Sequence, residues 1–239
     1  MSLLTIVQDA ITEMGGMAAP SNVIGNTDTT TAKALTMVNR LGRDIQRQYK
    51  WPSLKSTYTF TTQAGIDRYP LPSTWQRMSN NSTWDRTTHW PLNGPATDAF
   101  WQVLKSGLVV AGMRFWFRRE GNYMVMAPVP TEVHTIAYDY YSSSWCMDIG
   151  GFPKIKMTSD TDMPIFLPVD RAESLLTMGL IYSLKASETL PFAEDKANYL
   201  QALDAEIFDA SGQAIIDTTG APRYILGRGN LPEVGYGSP

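Results

Sequence analysis

The chain has 239 residues, 20 Lys+Arg against 23 Asp+Glu, a formal net charge of −3 and one cysteine. It is long enough for one large domain or two small ones and for a core without staples. The lone Cys146 leaves no disulfide framework or Cys-rich zinc site, and the charge balance gives no global basic field to gather nucleic acid.

Only 18% of residues are charged, below the roughly 25% usual in soluble domains, which fits a surface largely covered by partners. The opening residues lack a basic segment ahead of their apolar run, so no signal peptide is predicted. The longest apolar run, 108–113, is too short for a membrane span, and a soluble chain without a membrane anchor is expected.

Leu4, Val7, Ile11 and Met14 predict a first helix that stops at Gly15-Gly16. After a polar loop with Pro20, Gly25 and Asn26, the capping residues at 28–31 open a second helix that runs to about Tyr49. Ala34, Val38, Leu41 and Ile45 form its apolar stripe, and Arg40, Arg43, Arg47 and Lys50 a basic stripe opposite. That basic face is either solvated or set against an acidic neighbouring subunit or passing nucleic acid. Trp51-Pro52 ends the helix, because the residue before proline leaves the α region.

Period two then takes over. Tyr58 and Phe60 alternate with Thr57, Thr59 and Thr61, and a turn at 63–67 leads into Arg68-Tyr69-Pro70-Leu71-Pro72. Further strands are expected at 75–78, 82–86, 108–118, 123–126 and 133–141, a short helix at 97–106, and a hairpin turn at Arg119-Glu120-Gly121-Asn122. Asp170 and Glu173 stand at capping-box spacing before a helix whose Leu175, Leu176, Met178, Leu180, Ile181 and Leu184 surround its axis, as in a helix buried on several sides. The last helix, about 191–211, is expected to bury Ala193, Ala197, Leu200, Leu203 and Ile207. Its acids Glu194, Asp195, Glu206 and Asp209 lie on the other side, and Asp204 falls within the apolar stripe and is expected to have a partner there. The final stretch, 212–239, mixes Gly and Pro with Tyr224, Ile225, Leu226 and Tyr236. It reads as a segment ordered by docking onto a partner.

Little of the sequence carries chemistry. Cys146 lies in an aromatic stretch and reads as a buried, unreactive thiol. His89 and His134 have no second ligand at metal spacing and read as partly buried structural residues. Asp160-Thr161-Asp162 resembles the start of a calcium loop, but Ile165 and Arg171 stand where Gly and Glu are needed, so a solvated acidic loop is expected. Gly227-Arg228-Gly229 lacks the context of a nucleotide loop. Glu120, Glu132 and Asp139 flank strands and there are seven Trp residues, which leaves open a carbohydrate-binding or glycan-cleaving module. No cofactor, metal or catalytic residue is assigned.

The helix from Val38-Asn39-Arg40 to Trp51-Pro52-Ser53-Leu54, the Tyr58/Phe60 strand and Tyr69-Pro70-Leu71-Pro72 resemble the head-to-tail adaptor proteins of tailed bacteriophages. So do Ile136-Ala137-Tyr138-Asp139-Tyr140-Tyr141, Asp162-Met163-Pro164 and Phe166-Leu167-Pro168 before the buried helix at 172–187. The likeness covers most of residues 30–210. It implies a non-enzymatic virion protein at the head–tail junction, assembled in the host cytoplasm. It also implies a ring, commonly twelvefold, that sits on the portal protein, continues the DNA channel without sequence-specific binding and carries downstream tail or nozzle proteins.

The expected architecture is α+β. N- and C-terminal helices (1–54 and 165–211) form a bundle, an antiparallel mainly-β domain (55–164) is inserted, and an extended tail (212–239) docks on a partner. On this reading Arg40, Arg43 and Arg47 meet Glu194, Asp195 and Glu206 of a neighbouring subunit, while Tyr224, Ile225, Leu226 and Tyr236 bind the portal.

Overall fold

The computed structural model describes residues 2–15, 18–106 and 114–211. Among these residues, five α-helices and eleven strands give an α+β chain, with a central β region between two N-terminal and two C-terminal helices. α1 (Leu3–Met14) ends at Gly15, whose φ of 72° suits glycine at a helix stop. α2 (Thr29–Gln48) is capped by Asp28, which accepts from the Thr31 N–H at 2.9 Å. That bond and the Thr31 hydroxyl hold its carboxyl below the usual range. Beyond the Trp51-Pro52 stop and a single 3-10 turn at Pro52–Leu54, the strands begin.

In chain order these are β1 (Lys55–Thr61), β2 (Arg68–Pro70), β3 (Trp75–Met78), β4 (Trp84–Asp85) and β5 (Trp90–Pro91). The short helix α3 (Asp98–Lys105) follows, then β6 (Trp116–Glu120), β7 (Tyr123–Ala127), β8 (Thr135–Ser142), β9 (Cys146–Met147), β10 (Pro153–Lys154) and β11 (Met163–Pro164). One sheet runs β1-β8-β4-β5 with β3 also on β8; the others are β2-β7-β6 and β10-β9-β11. β6 and β7 form the expected hairpin: Glu120 pairs with Tyr123 across Gly121-Asn122, and Gly121 takes a φ of 59°. The strand expected at 82–86 shrinks to β4, because Asp85 turns its carboxylate onto the N–H groups of Thr87 and Thr88 and closes the ladder. Of the strand expected at 108–118, residues 108–113 lie outside the described residues and the remainder leads into β6.

The chain gathers into two compact units. One holds residues up to 56, Thr74–Arg77 and 140–211; the other holds Thr57–Ser73 and Met78–Asp139. In the first, α4 (Val169–Ser187) packs against α1, α2 and α5 (Ala193–Ser211). It buries Ala172, Leu175, Leu176, Leu180, Ile181 and Leu184 around its circumference, as its sequence predicts. Trp51, Trp145 and Phe166 fill one end of this core, with ring centroids 5.8 Å (Trp51–Phe166) and 6.5 Å (Trp145–Phe166) apart. Trp145 lies flat against α2 at Gly42, where an added Cβ would come within 2.4 Å of the ring. A mid-helix glycine is thus required by close packing.

In the second unit, α3 lays Trp101 and Leu104 over Val125 and Ala127, and Phe100 packs on Trp116 at 4.5 Å. Tyr58, Phe60, Tyr69 and Tyr138 form a ring cluster with contacts of 4.9 to 6.4 Å. The Tyr69 hydroxyl donates to Ile66 O at 2.6 Å and accepts from Gln63 N at 3.1 Å, closing the 63–67 turn.

Three expectations are corrected. Asp170 does not cap α4. The helix starts two residues earlier, at Val169 behind Pro168, and Glu173 is buried and accepts from the Thr5 hydroxyl of α1. The acidic loop is not solvated: Asp160 accepts from the N–H groups of Val23 and Ile24, and Asp162 is fully buried. Finally, α5 is turned about its axis. It buries Tyr199 and Leu203, leaves Ile207 half-buried, and exposes Ala193, Ala197, Leu200 and Asp204.

Candidate assembly surface

The periodicity that buries Ala34, Val38, Leu41 and Ile45 carries Arg40, Arg43 and Arg47 to the opposite, exposed face of α2, with Lys50 just beyond its end. Their local contacts are weak or leave the charge unmet. Arg40 Nε is 3.8 Å from Asp44, one turn on, a surface pairing worth only about 0.3–0.5 kcal/mol. Arg43 Nε donates to the backbone oxygen of Asn39 at 3.0 Å. Arg47 is engaged through its carbonyl, which accepts from Arg77. The stripe therefore presents several positive charges to solvent.

The acids of α5 are mostly engaged within the chain. Arg171 of α4 donates to Glu206 at 2.9 Å and to Asp209 at 2.6 Å, and these bonds raise its pKa, Asp209 contributing most. Lys185 of α4 donates to both oxygens of Asp195 at 2.9 and 2.8 Å. The cations that meet α5 thus lie on α4. Glu194 remains exposed. Tyr224, Ile225, Leu226 and Tyr236 lie outside the described residues.

The groups considered for chemistry have structural duties. Cys146 is buried and donates to Lys154 O at 3.3 Å; burial, with the Asp162 charge, pushes its thiol up to about 12, as expected of an inert cysteine. His134 Nδ1 lies 2.8 Å from the buried Asp85 carboxylate, and Phe115 packs edge-on at 5.0 Å. His89, by contrast, is exposed in a turn with a φ of 58°. Glu120 is gripped by Arg68 and Arg118, and Asp139 accepts from the Thr57 hydroxyl at 2.7 Å. Of the seven tryptophans, Trp51, Trp101 and Trp145 are buried and Trp90 is the exposed one, with Arg114 stacked over it at 4.1 Å. Among the described residues no group of three or more His, Cys, Asp or Glu could hold a metal ion, and no helix is long and apolar enough to cross a membrane.

One surface feature escaped the sequence reading. Between β9 and β10, the tip Asp148-Ile149-Gly150-Gly151-Phe152 holds Ile149 and Phe152 in solvent. Asp148 fixes the turn by accepting from Gly150 N at 2.9 Å and Phe152 N at 3.0 Å, and Gly151 supplies the positive φ. The signal available was Gly150-Gly151 flanked by two large apolar residues, which marks a hairpin tip and not a loop interior.

The family model described as SU10 adaptor protein matches residues 1–224. No curated protein matches the chain. The chain belongs to the SU10 adaptor family, a family of phage head–tail adaptors, and so is a structural component of the virion that works in an assembly with portal and tail proteins.

Proposed function

We propose that this SU10 adaptor family member forms a ring on the portal, continues the DNA channel and offers its far side to downstream tail or nozzle proteins, without catalytic turnover. Family membership across 1–224 carries this reading. A ring needs two different surfaces on each subunit, and the exposed basic stripe Arg40, Arg43 and Arg47 on α2 is one candidate half. Glu194 is an exposed acid of the opposing half. Asp195 and Glu206 add to the negative field of α5 but are already bonded to Lys185 and Arg171. Twelve copies, the number implied by the adaptor resemblance, is the expected stoichiometry. Mild net charge suits a channel wall, because clustered Lys and Arg would hold phosphates through counterion release.

The portal contact belongs to the tail, with Tyr224, Ile225, Leu226 and Tyr236 as anchors. Ordering an extended segment costs entropy, which buried aromatic and branched side chains offset. Assembly takes place in the host cytoplasm before the particle is complete. Deleting 213–239 is expected to abolish association with portal rings while leaving thermal unfolding unchanged. Sedimentation and electron microscopy of protein–portal mixtures measure it, and full association of the truncated chain would refute the assignment to the tail.

A further inference from the structure

Among the described residues, two apolar patches in the helical unit are uncovered. The first is the β9–β10 tip, where Ile149 is 79% and Phe152 70% exposed, followed by the half-exposed Ile155. The tip is rigidly mounted. Asp148 pins its turn, the Trp145 indole donates to Ile155 O at 2.8 Å, and Asn39 of α2 brackets Met157 through bonds of 2.7 and 3.2 Å. A tip ordered beforehand gives up little entropy on docking. The second patch is the outward stripe of α5: Ala193, Ala197, Leu200, Asp204 and Phe208, which recur at helical spacing. Phe208 is 74% exposed. Small alanines at one end and a phenylalanine at the other leave a shallow step along the helix.

We propose that the Ile149/Phe152 tip of one copy docks on the α5 stripe of a second copy of this chain, with Lys156, behind the tip, facing Asp204 within the stripe. The charges argue for this occupant. Asp204 is the one acid among the five stripe residues, and Lys156, four residues after Phe152, is an exposed cation on the segment behind the tip. The same sorting extends outward: the segment behind the tip is tied through Met157 to Asn39, next to the Arg40/Arg43 stripe, whereas the α5 stripe begins beside Glu194. A second copy brings both patches, and Lys156 with Asp204, at once. Because the two patches differ, each copy uses one of each, and a closed ring leaves none uncovered.

This contact rests on the ring reading, and its test separates the two. Full-length Phe152→Cys and Phe208→Cys proteins are mixed with portal rings and treated with a short bis-maleimide. The native Cys146 is buried, so the introduced thiols are the ones that react. Crosslinks are expected between the two variants and absent within either alone, and the doubly substituted chain should give a covalent ladder. Lys156→Glu should cut the crosslink yield about tenfold, and Asp204→Lys in the partner should restore it. Rings seen by electron microscopy without 152–208 crosslinks, crosslinks within one variant, or crosslinks to the portal instead would overturn this contact and leave the ring standing. A wild-type protein that forms no ring would remove both.

Discussion

Asp162 shows how one side chain can organise a loop. Burial alone would raise its pKa, but the N–H groups of Thr158 and Ser159, at 2.6 and 2.9 Å, and the Lys154 ammonium at 2.9 Å hold it below the usual carboxylate range. A depressed carboxylate stabilises the fold above its unfolded pKa, and that stability is lost as pH falls through the folded value. Asp162→Asn keeps the shape and removes the charge, so it should cost about 1–3 kcal/mol near neutral pH. The cost should shrink on acidification, as the native carboxyl is itself protonated. Urea midpoints from about pH 7 down to about pH 2 measure this, and a pH-independent penalty would show that the charge is not what holds the loop. Asp162-Met163-Pro164 was recognisable in the sequence as a motif, but its duty was not. The donors lie three, four and eight residues before it, in a turn of no distinctive pattern.

At the scale of elements, α5 is the instructive case. Two lines of apolar residues run along it at helical spacing, and periodicity alone does not say which faces the core. The structure buries the line through Tyr199 and Leu203, with Ala202, Ile207 and Ala210 half-buried beside it. Two features of α4 set this rotation: Arg171 and Lys185 pull on Glu206, Asp209 and Asp195, and Gly179 makes room for the Tyr199 ring, 3.0 Å from where a Cβ would stand. Leu203→Ala should therefore destabilise by about 2–5 kcal/mol, through lost burial and the cavity it leaves. Leu200→Ala should stay within about 0.5 kcal/mol. Chemical denaturation of the two variants side by side checks this, and equal effects would contradict the rotation. Elements set by local rules came through with little change: the Asp28 cap, the Trp51-Pro52 stop and the Gly121-Asn122 hairpin all sit where the sequence places them.

Over the whole molecule, the scarcity of charge becomes an arrangement. Cations on α2 face outward, while most acids of α5 are spent on α4. Converting Arg40, Arg43 and Arg47 together to Glu should leave thermal unfolding nearly unchanged, since all three are exposed, and should reduce ring formation on portal. Particle mass in solution and on portal rings measures this; undiminished assembly would mark the stripe as merely solvated. The sequence by itself determined the order of the helices and longer strands, the buried α4, the inert cysteine and, through short motifs in a fixed order, the adaptor family, but not the two-residue strands β5, β9, β10 and β11. These follow from local propensity, periodicity and capping, which act within a few residues of each other. Only the tertiary structure decided which face of α5 meets the core, which acids are already bonded, and that Ile149 and Phe152 stand in solvent. The first two depend on side chains far apart in sequence, as Arg171 is from Asp209, and no local pattern encodes such a meeting; the third follows from which surfaces the fold leaves bare.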